Sequence, residues 1–203
     1  MLRNDAMNDQ EQIQPFEFEP ERCFDTFIGV ARELIVRPRE FFRQLPKTGS
    51  VKNPLAFLTV CAFLTALFVA NARSGGVQLF LLLCCANIFS TVLGSMVMHI
   101  LAQRMYRSQA PFGSTLRVLA YASLMDTVSW IPLLGPLAYF YGLYLIFLGI
   151  QEQHQLTPRQ AALTVAIIVC IVTALAMAIM LASPGSFSQA LQMLDPQQAE
   201  NSL

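Results

Sequence analysis

Long apolar runs separated by short polar or Gly/Pro-containing breaks dominate the chain from residue 54 onward. A helix that crosses a bilayer needs about 20 mostly apolar residues, and five runs approach or reach that length. Breaks such as Ser183-Pro184-Gly185 end them. The pattern therefore predicts an all-α, polytopic membrane helix bundle with five transmembrane helices, at residues 54–72, 77–102, 116–131, 136–150 and 161–182.

The third and fourth spans are the shortest of the five. Pro132, Gly135 and Pro136 interrupt the apolar sequence between them, which leaves each span about 15 helical residues, or about 22 Å. Either these helices extend into the turn at residues 131–134 and cross fully, or they form a re-entrant hairpin that is buried against the other spans.

Two segments of different character precede the first span. Residues 1–22 are polar, Gln-rich and acidic, which predicts a disordered tail. In residues 23–53, apolar side chains recur at helical spacing with arginines between them, which predicts an amphipathic helical segment on the cytoplasmic membrane surface. The alternative is that its apolar face docks on the protein's own loops. Residues 183–203 form a short polar C-terminal tail.

The predicted cytoplasmic surface is the candidate interface for lipid or protein. It combines aromatic side chains, which suit the acyl boundary, with arginines, which suit anionic head groups. Its candidate residues are Phe24, Phe27, Arg37, Arg39, Phe41, Phe42 and Arg43, with Arg104 and Arg107 after the second span.

Composition and charge support the membrane assignment and give an orientation. Of the 203 residues, 55% are hydrophobic and 13% are charged, whereas soluble domains have about 45–50% and about 25%. The excess of Lys and Arg on one side predicts a cytoplasmic N-terminus and an outside C-terminus, in a multi-pass protein of the cytoplasmic (inner) membrane. In this topology the inner loops hold Arg104, Arg107, Arg117 and Arg159, and the outer side holds Arg73.

Asp126 is the carboxylate that lies within the predicted spans. It follows Arg117 by about 13 Å of helix, which puts it near mid-membrane or slightly toward the outer side. Acids within a membrane usually face a cavity or a partner and are functional candidates. The alternative is that Asp126 lies close to the outer turn and hydrogen-bonds there with its neighbours Thr127, Ser129 and Trp130.

Other patterns argue against an enzyme or a metalloprotein. A phosphate-binding loop, a metalloprotease histidine pair and a nucleophile elbow are missing from the sequence. Met96 and His99 share a helix face and could hold copper, but Met-rich helices more often fill gaps in a core. The five cysteines lack metal-site or disulfide spacing. We therefore expect no catalytic residues, no cofactor and no metal.

Four stretches resemble the bacterial branch of the Yip-one domain proteins, the Ypt/Rab-interacting membrane protein family, over roughly residues 30–180. They are VRPREFFRQLP before the first span, FGSTLRVLAYASL entering the third, IPLLGPLAYFYGLYLIFLGI, and HQLTPRQAAL entering the fifth. The resemblance implies a cytoplasmic N-terminal segment, five membrane helices and no known catalytic activity. Eukaryotic members look like binding platforms for Rab GTPases, but their Asp-Leu-Tyr-Gly-Pro-type segment is absent here, so that role is not expected.

The resemblance also bears on the surroundings of Asp126. In the family this position often follows a Tyr-Ala-x-x-Pro-like run, whereas Tyr121 to Met125 contains no proline. We therefore expect the third span to continue as a regular helix.

Two functions of different classes follow. The first is a non-enzymatic integral membrane scaffold or protein/lipid interaction platform, and the alternative is a small transporter or ion/proton permeation protein that uses Asp126. Expected partners are the lipid bilayer and other membrane proteins or a second copy of the chain, but not nucleic acid. The sequence offers no inverted repeat that would favour a transporter.

Overall fold

A computed structural model describes residues 17–182, and the regular structure in that range is helical. Four helices are long and apolar enough to cross a membrane: α3 (Lys52–Ala72), α4 (Gly76–Tyr106), α6 (Leu134–His154) and α7 (Pro158–Ala182). The chain is therefore an all-helical, multi-pass membrane protein. The elements are a 3-10 turn at Pro20–Arg22, α1 (Cys23–Val36), α2 (Pro38–Gln44), α3 (Lys52–Ala72), α4 (Gly76–Tyr106), α5 (Phe112–Ala122), a 3-10 helix at Ser123–Thr127, α6 (Leu134–His154) and α7 (Pro158–Ala182).

The chain divides into two units, and the boundary falls within α7, after Val165. The features described below all belong to the first unit. Most of the predicted N-terminal tail and all of the C-terminal tail lie outside the described residues. The N-terminal boundary differs from the expected one at residue 22, because Phe18 is already buried.

The third predicted span departs most from expectation. α5 has 11 residues and is followed by a 3-10 helix, so this span is not one continuous α-helix. Side-chain hydroxyls bond nearby carbonyls here: Ser123 Oγ donates to Ala120 O at 2.7 Å, and Thr127 Oγ1 donates to Leu124 O at 2.6 Å. Such bonds compete with regular helix bonding. The expectation of a regular helix through this region is therefore wrong.

The fourth predicted span is longer than expected, since α6 has 21 residues. Pro136 lies in its first turn, where the missing N–H removes no helical hydrogen bond. Gly135 lies so close to the carbonyl of Ser129 that a Cβ would collide with it. These residues therefore begin the helix at a tight turn, whereas the sequence analysis interpreted them as breaking it.

Side-chain contacts define the two ends of the helix bundle. At the end that we call the Lys52 end, Ser114 Oγ donates to Lys47 O at 2.8 Å. At the other end, the Trp130 end, the Trp130 ring stacks on Phe68 with centroids 5.2 Å apart. α5 and the 3-10 helix together rise about 26 Å, since the chain advances about 1.5 Å per residue in an α-helix and about 2.0 Å per residue in a 3-10 helix. The chain thus runs from one end of the bundle to the other between α4 and α6.

α1 and α2 form a helical hairpin that packs beside α6. Near the Lys52 end, Gln153 Nε2 donates to Phe42 O at 2.8 Å. Farther along, the Tyr141 hydroxyl donates to the carbonyls of Leu34 and Ile35, both at 3.0 Å. Tyr141 lies about 20 Å along α6 from His154. The turn of the hairpin therefore lies alongside the length of α6 and not beneath its end.

An aromatic cluster joins the hairpin to the bundle. Phe57 of α3 is fully buried, and rings from three other segments contact it. Phe18 packs edge-on at 5.5 Å, Phe27 stacks at 5.2 Å, and Tyr121 of α5 lies at 5.0 Å. Aromatic rings bury large areas and gain further from edge and offset geometries. This cluster therefore fixes α1 and the segment before it against α3 and α5.

Candidate functional site

α1 has two apolar faces. One face is buried on the protein and contains Val30 and Leu34, with Phe27 stacked on Phe57 at its edge. The other face is exposed: Phe24 is 77% exposed and Ile35 is 58% exposed, and Ile28 lies between them on the same side. A helix that only needed to pack on the bundle would require one apolar stripe. The exposed stripe is therefore unexplained by folding alone.

Phe41 and Phe42, two predicted interface residues, are not on the surface. Both are buried. Phe41 packs edge-on against Tyr121 at 5.2 Å, and Phe42 approaches Gly149 so closely that a Cβ there would lie 3.1 Å from its ring. Their aromatic character serves the packing of α2, so we remove them from the candidate interface.

The predicted arginines of the hairpin are exposed, and two of them form ion pairs. Arg39 Nε donates to Glu152 Oε1 at 2.7 Å, and Arg43 Nη2 donates to Glu40 Oε1 at 2.8 Å. The hydrogen bond that Gln44 donates lowers the pKa of Glu40 below its usual value, and the hydrogen bond and charge of Arg43 lower it further. Beside them is a cavity of about 360 Å³ lined by Arg39, Arg43, Lys47, Gln151, Glu152, Gln155 and Leu156.

Arg37 lies exposed at the junction of α1 and α2, and Arg104 and Arg107 lie exposed at the end of α4. Arg107 closes that helix in a left-handed conformation, with φ of 52°. Within residues 17–182, neither Arg104 nor Arg107 forms a hydrogen bond or ion pair with the hairpin through its side chain. The structure thus groups Arg37, Arg39 and Arg43 on one hairpin but does not join the α4 arginines to them.

Asp126 lies in the 3-10 helix and lines a cavity of about 260 Å³. Asn87 of α4 donates from Nδ2 to Asp126 Oδ2 at 3.4 Å. The neighbours that the sequence proposed as partners bond the turn instead: Ser129 Oγ donates to Asp126 O at 2.8 Å, and Trp130 Nε1 donates to Thr127 O at 2.9 Å. The carboxylate therefore faces a cavity and an amide. Polar or small cavity neighbours include Thr91, Ser123, Tyr139 and Gly142.

Two histidines meet at the Lys52 end through one threonine. Thr115 Oγ1 lies 2.8 Å from His154 Nε2 and 3.3 Å from His99 Nδ1. The other ring nitrogen of His154 lies 2.9 Å from Ser108 Oγ. This network could not be predicted from the sequence because the four residues are far apart in the chain. No group of three or more His, Cys, Asp or Glu side chains in the described residues could share a metal ion.

Arg117 was expected in an inner loop, but it is buried inside the protein at 1% exposure. Its Nε donates to Glu17 Oε1 at 3.2 Å, and its Nη2 donates to Ser50 O at 2.7 Å. Its Nη1 is buried and has no hydrogen-bond partner among residues 17–182. Arginine stays charged in proteins, so Glu17 supplies the counter-charge of a buried cation. A sequence signal existed, since Arg117 interrupts an apolar run.

A family model described as the Yip1 domain, the Yip-one domain of the sequence analysis, matches residues 32–181. No curated protein and no solved structure matches the chain. The matched range covers most of the chain, from α1 to the end of α7.

Proposed function

This chain belongs to the Yip1 domain family, and we propose from that membership that it is a non-enzymatic membrane scaffold, with a cytoplasmic face that forms a platform for lipid. The single observation that carries the proposal is the exposed apolar stripe of α1, formed by Phe24, Ile28 and Ile35. Exposed apolar stripes of this kind are stable where they meet another apolar phase.

The proposed topology has five passes, with the Lys52 end in the cytoplasm and the C-terminus outside. The rise of about 26 Å through α5 and the 3-10 helix supports a full crossing by the third span, because the hydrocarbon core is about 30 Å thick. The charge distribution supports the orientation, since cytoplasmic segments carry more Lys and Arg. Basic residues near the Lys52 end are Lys47, Lys52, Arg104, Arg107 and Arg159, and the Trp130 end carries Arg73.

We choose lipid as the occupant of the α1 stripe because of where the hairpin packs. Its turn lies alongside α6 near Tyr141, so in this orientation the stripe is at the level of the acyl chains. Arg43 and Lys47 lie nearer the Lys52 end, beside Gln155, and their long side chains can extend from there to anionic head groups. An apolar stripe combined with flexible cations is typical of helices that bind at a membrane interface.

A photo-crosslinking residue introduced at Ile28 tests the platform. In membranes we expect adducts with phospholipid, identified by mass spectrometry. The matched control is Leu34, which is on the same helix and is fully buried, and it should give adducts within the chain. Adducts at Ile28 with a protein and not with lipid would contradict the choice of occupant, and adducts with neither would contradict the platform.

A second candidate function is supported by the cavity beside Asp126. A carboxylate in a cavity of about 260 Å³ within a membrane bundle is a typical ion or proton site. Flux measurements in proteoliposomes should compare the native chain with Asp126→Asn. Proton or cation flux that is lost in the variant would favour this candidate, and no flux with the native chain would reject it.

A further inference from the structure

Glu17 and Phe18 fill a slot at the Lys52 end with two adjacent side chains. The acid pairs with buried Arg117 at 3.2 Å. The next side chain, Phe18, is buried against Phe57, and its backbone N–H donates to the Tyr121 hydroxyl at 3.3 Å. The slot therefore recognises an anion, an aromatic ring and one backbone N–H, in a fixed order along an extended segment.

Two glycines leave room for the guanidinium in the charged part of the slot. Gly113 and Gly49 lie against the guanidinium: a Cβ on Gly113 would be 3.3 Å from Nη1, and a Cβ on Gly49 would be 3.7 Å from Nη2. A buried cation without a counter-charge is strongly unfavourable. If Glu17 leaves, another anion must therefore replace it.

The present occupant satisfies Arg117 only in part. Glu17 accepts one hydrogen bond, from Nε, and Nη1 has no acceptor among the described residues although it is buried. Carboxylates bind arginine best through two parallel hydrogen bonds. A ligand that also brings a second acceptor to Nη1, on the other edge of the guanidinium, would bind this arginine more completely than Glu17 does.

The occupant can also leave without unfolding a helix. Glu17, Phe18 and Glu19 have no regular structure, and the short 3-10 turn at Pro20–Arg22 follows them. The Thr26 hydroxyl accepts from Glu19 N at 3.3 Å, and its single proton is shared between Arg22 O at 2.8 Å and Glu19 O at 3.1 Å. Leaving the slot would therefore require a backbone change in residues 17–19 and not in α1.

We propose that the slot formed by Arg117, Tyr121 and Phe57 is a docking site for an acidic–aromatic segment of a partner protein, and that Glu17–Phe18 is its built-in competitor. The partner must present an acidic residue followed directly by an aromatic residue in an extended conformation. The anion alone would leave the ring pocket beside Phe57 empty, and an aromatic residue alone would leave Arg117 without a counter-charge. This inference rests on the proposed platform role, but it concerns a different surface from the α1 stripe.

The experiment uses the full chain in nanodiscs and a fluorescent peptide of residues 15–22, PFEFEPER. The receptor is the double variant Glu17→Gln/Phe18→Ala, in which the competitor is disabled. We expect saturable binding to this variant, at least tenfold weaker binding to the native chain, and an increase in the melting temperature of the variant when peptide is added. Adding Arg117→Met to the receptor should abolish binding.

Two altered peptides are the matched controls, one with Glu17→Gln and one with Phe18→Ala, and each should bind at least tenfold more weakly. Binding of the Phe18→Ala peptide as tight as that of the unaltered peptide would overturn the proposal, because the slot would then bind any anion, such as a lipid phosphate. Absence of binding to the double variant would also overturn it, since Glu17–Phe18 would then be a fixed part of the fold.

If the double variant does not fold, Phe18→Leu replaces it as the receptor, because it keeps the ion pair and weakens only the ring contact. Peptide binding tighter than to the native chain is then expected, and equal binding would contradict the proposal. A native dimer that is lost in the receptor variant would assign the slot to a second copy and overturn the choice of partner. Peptide binding and lipid crosslinking at Ile28 are separate readouts, so the slot and the platform can fail independently.

Discussion

Trp130 stacks on Phe68 with an interplanar angle of 15° and a centroid distance of 5.2 Å. Phe68 lies in the last part of α3, so this contact brings the chain after the 3-10 helix to the end of the bundle opposite Lys52. The interrupted segment after α4 therefore reaches the same end of the bundle as the end of α3. The contact also suits the membrane boundary, where tryptophan is enriched.

The five-pass topology can be tested with reporters that are active on one side of the membrane. A reporter fused after Leu203 should be active outside, and the same reporter inserted after Gln155, between α6 and α7, should be inactive. The physical reason is that an odd number of crossings separates Leu203 from the cytoplasmic N-terminus. Outside activity at Gln155, or none at Leu203, would mean that the third span does not cross or that the bundle is reversed.

Packing of α2 on α6 depends on the absence of a side chain at Gly149. A Cβ there would collide with Val118 and would lie 3.1 Å from the Phe42 ring. Gly149→Ala should therefore lower the free energy of unfolding by about 1–3 kcal/mol through overpacking, as measured by denaturant titration in detergent micelles.

The control for this prediction is Gly142→Ala on the same helix. A Cβ at Gly142 would make an ordinary contact with Met125 at 3.4 Å, and alanine favours a helix over glycine by about 1 kcal/mol. The variant should be neutral or more stable than the native chain. Equal destabilisation by both changes would show that the contact between α2 and Gly149 is not what matters.

The buried pair of Arg117 and Glu17 should behave as one unit in a double-mutant cycle. Glu17→Gln leaves a buried cation without a counter-charge and should lower the free energy of unfolding by about 3 kcal/mol. Arg117→Met combined with Glu17→Gln should recover part of that loss, with a coupling energy of about 1–3 kcal/mol. Additive effects in the cycle would mean that the two residues are not paired.

The side-chain amide of Gln153 holds the end of α2 through two hydrogen bonds. It donates to Phe42 O at 2.8 Å and to Leu45 O at 3.3 Å. Gln153→Leu would remove the donor to these carbonyls and should lower the free energy of unfolding by about 1–3 kcal/mol. Because α2 would be held less firmly, trypsin should cleave faster at Arg43 and Lys47. Gln103→Leu at an exposed position of α4 is the control and should leave the cleavage rate unchanged. Equal cleavage rates in the two variants would contradict a role of Gln153 in holding α2.

The sequence predicted the helical membrane class and the approximate bounds of four helices well, because long apolar runs depend only on local composition. It failed at α5, where single hydroxyls such as that of Ser123 turn the chain into a 3-10 helix. Apolar periodicity does not report such local competition. It also treated Pro136 as a break, although proline is tolerated in the first turn of α6.

The exposure of the candidate interface residues was predicted only in part, because residue type does not reveal which apolar face is buried. Phe24 and Phe42 look alike in the sequence, but one is exposed and the other is buried. The partner of Asp126 was missed because Asn87 lies on another helix. The buried pair of Glu17 and Arg117 was missed for the same reason, since its members are separated by most of the chain. Contacts of this kind depend on how helices pack, which one sequence does not specify.

The most direct test of the platform is the depth of the α1 stripe in a bilayer. Nitroxide labels at Ile28 and Ile35, in a background without the five native cysteines, report access to oxygen in lipid and to a nickel chelate in water. We predict that oxygen access exceeds nickel access at both positions and that the reverse holds at Asp25, which is exposed on the same helix. Greater access to nickel than to oxygen at Ile28 and Ile35 would contradict the account.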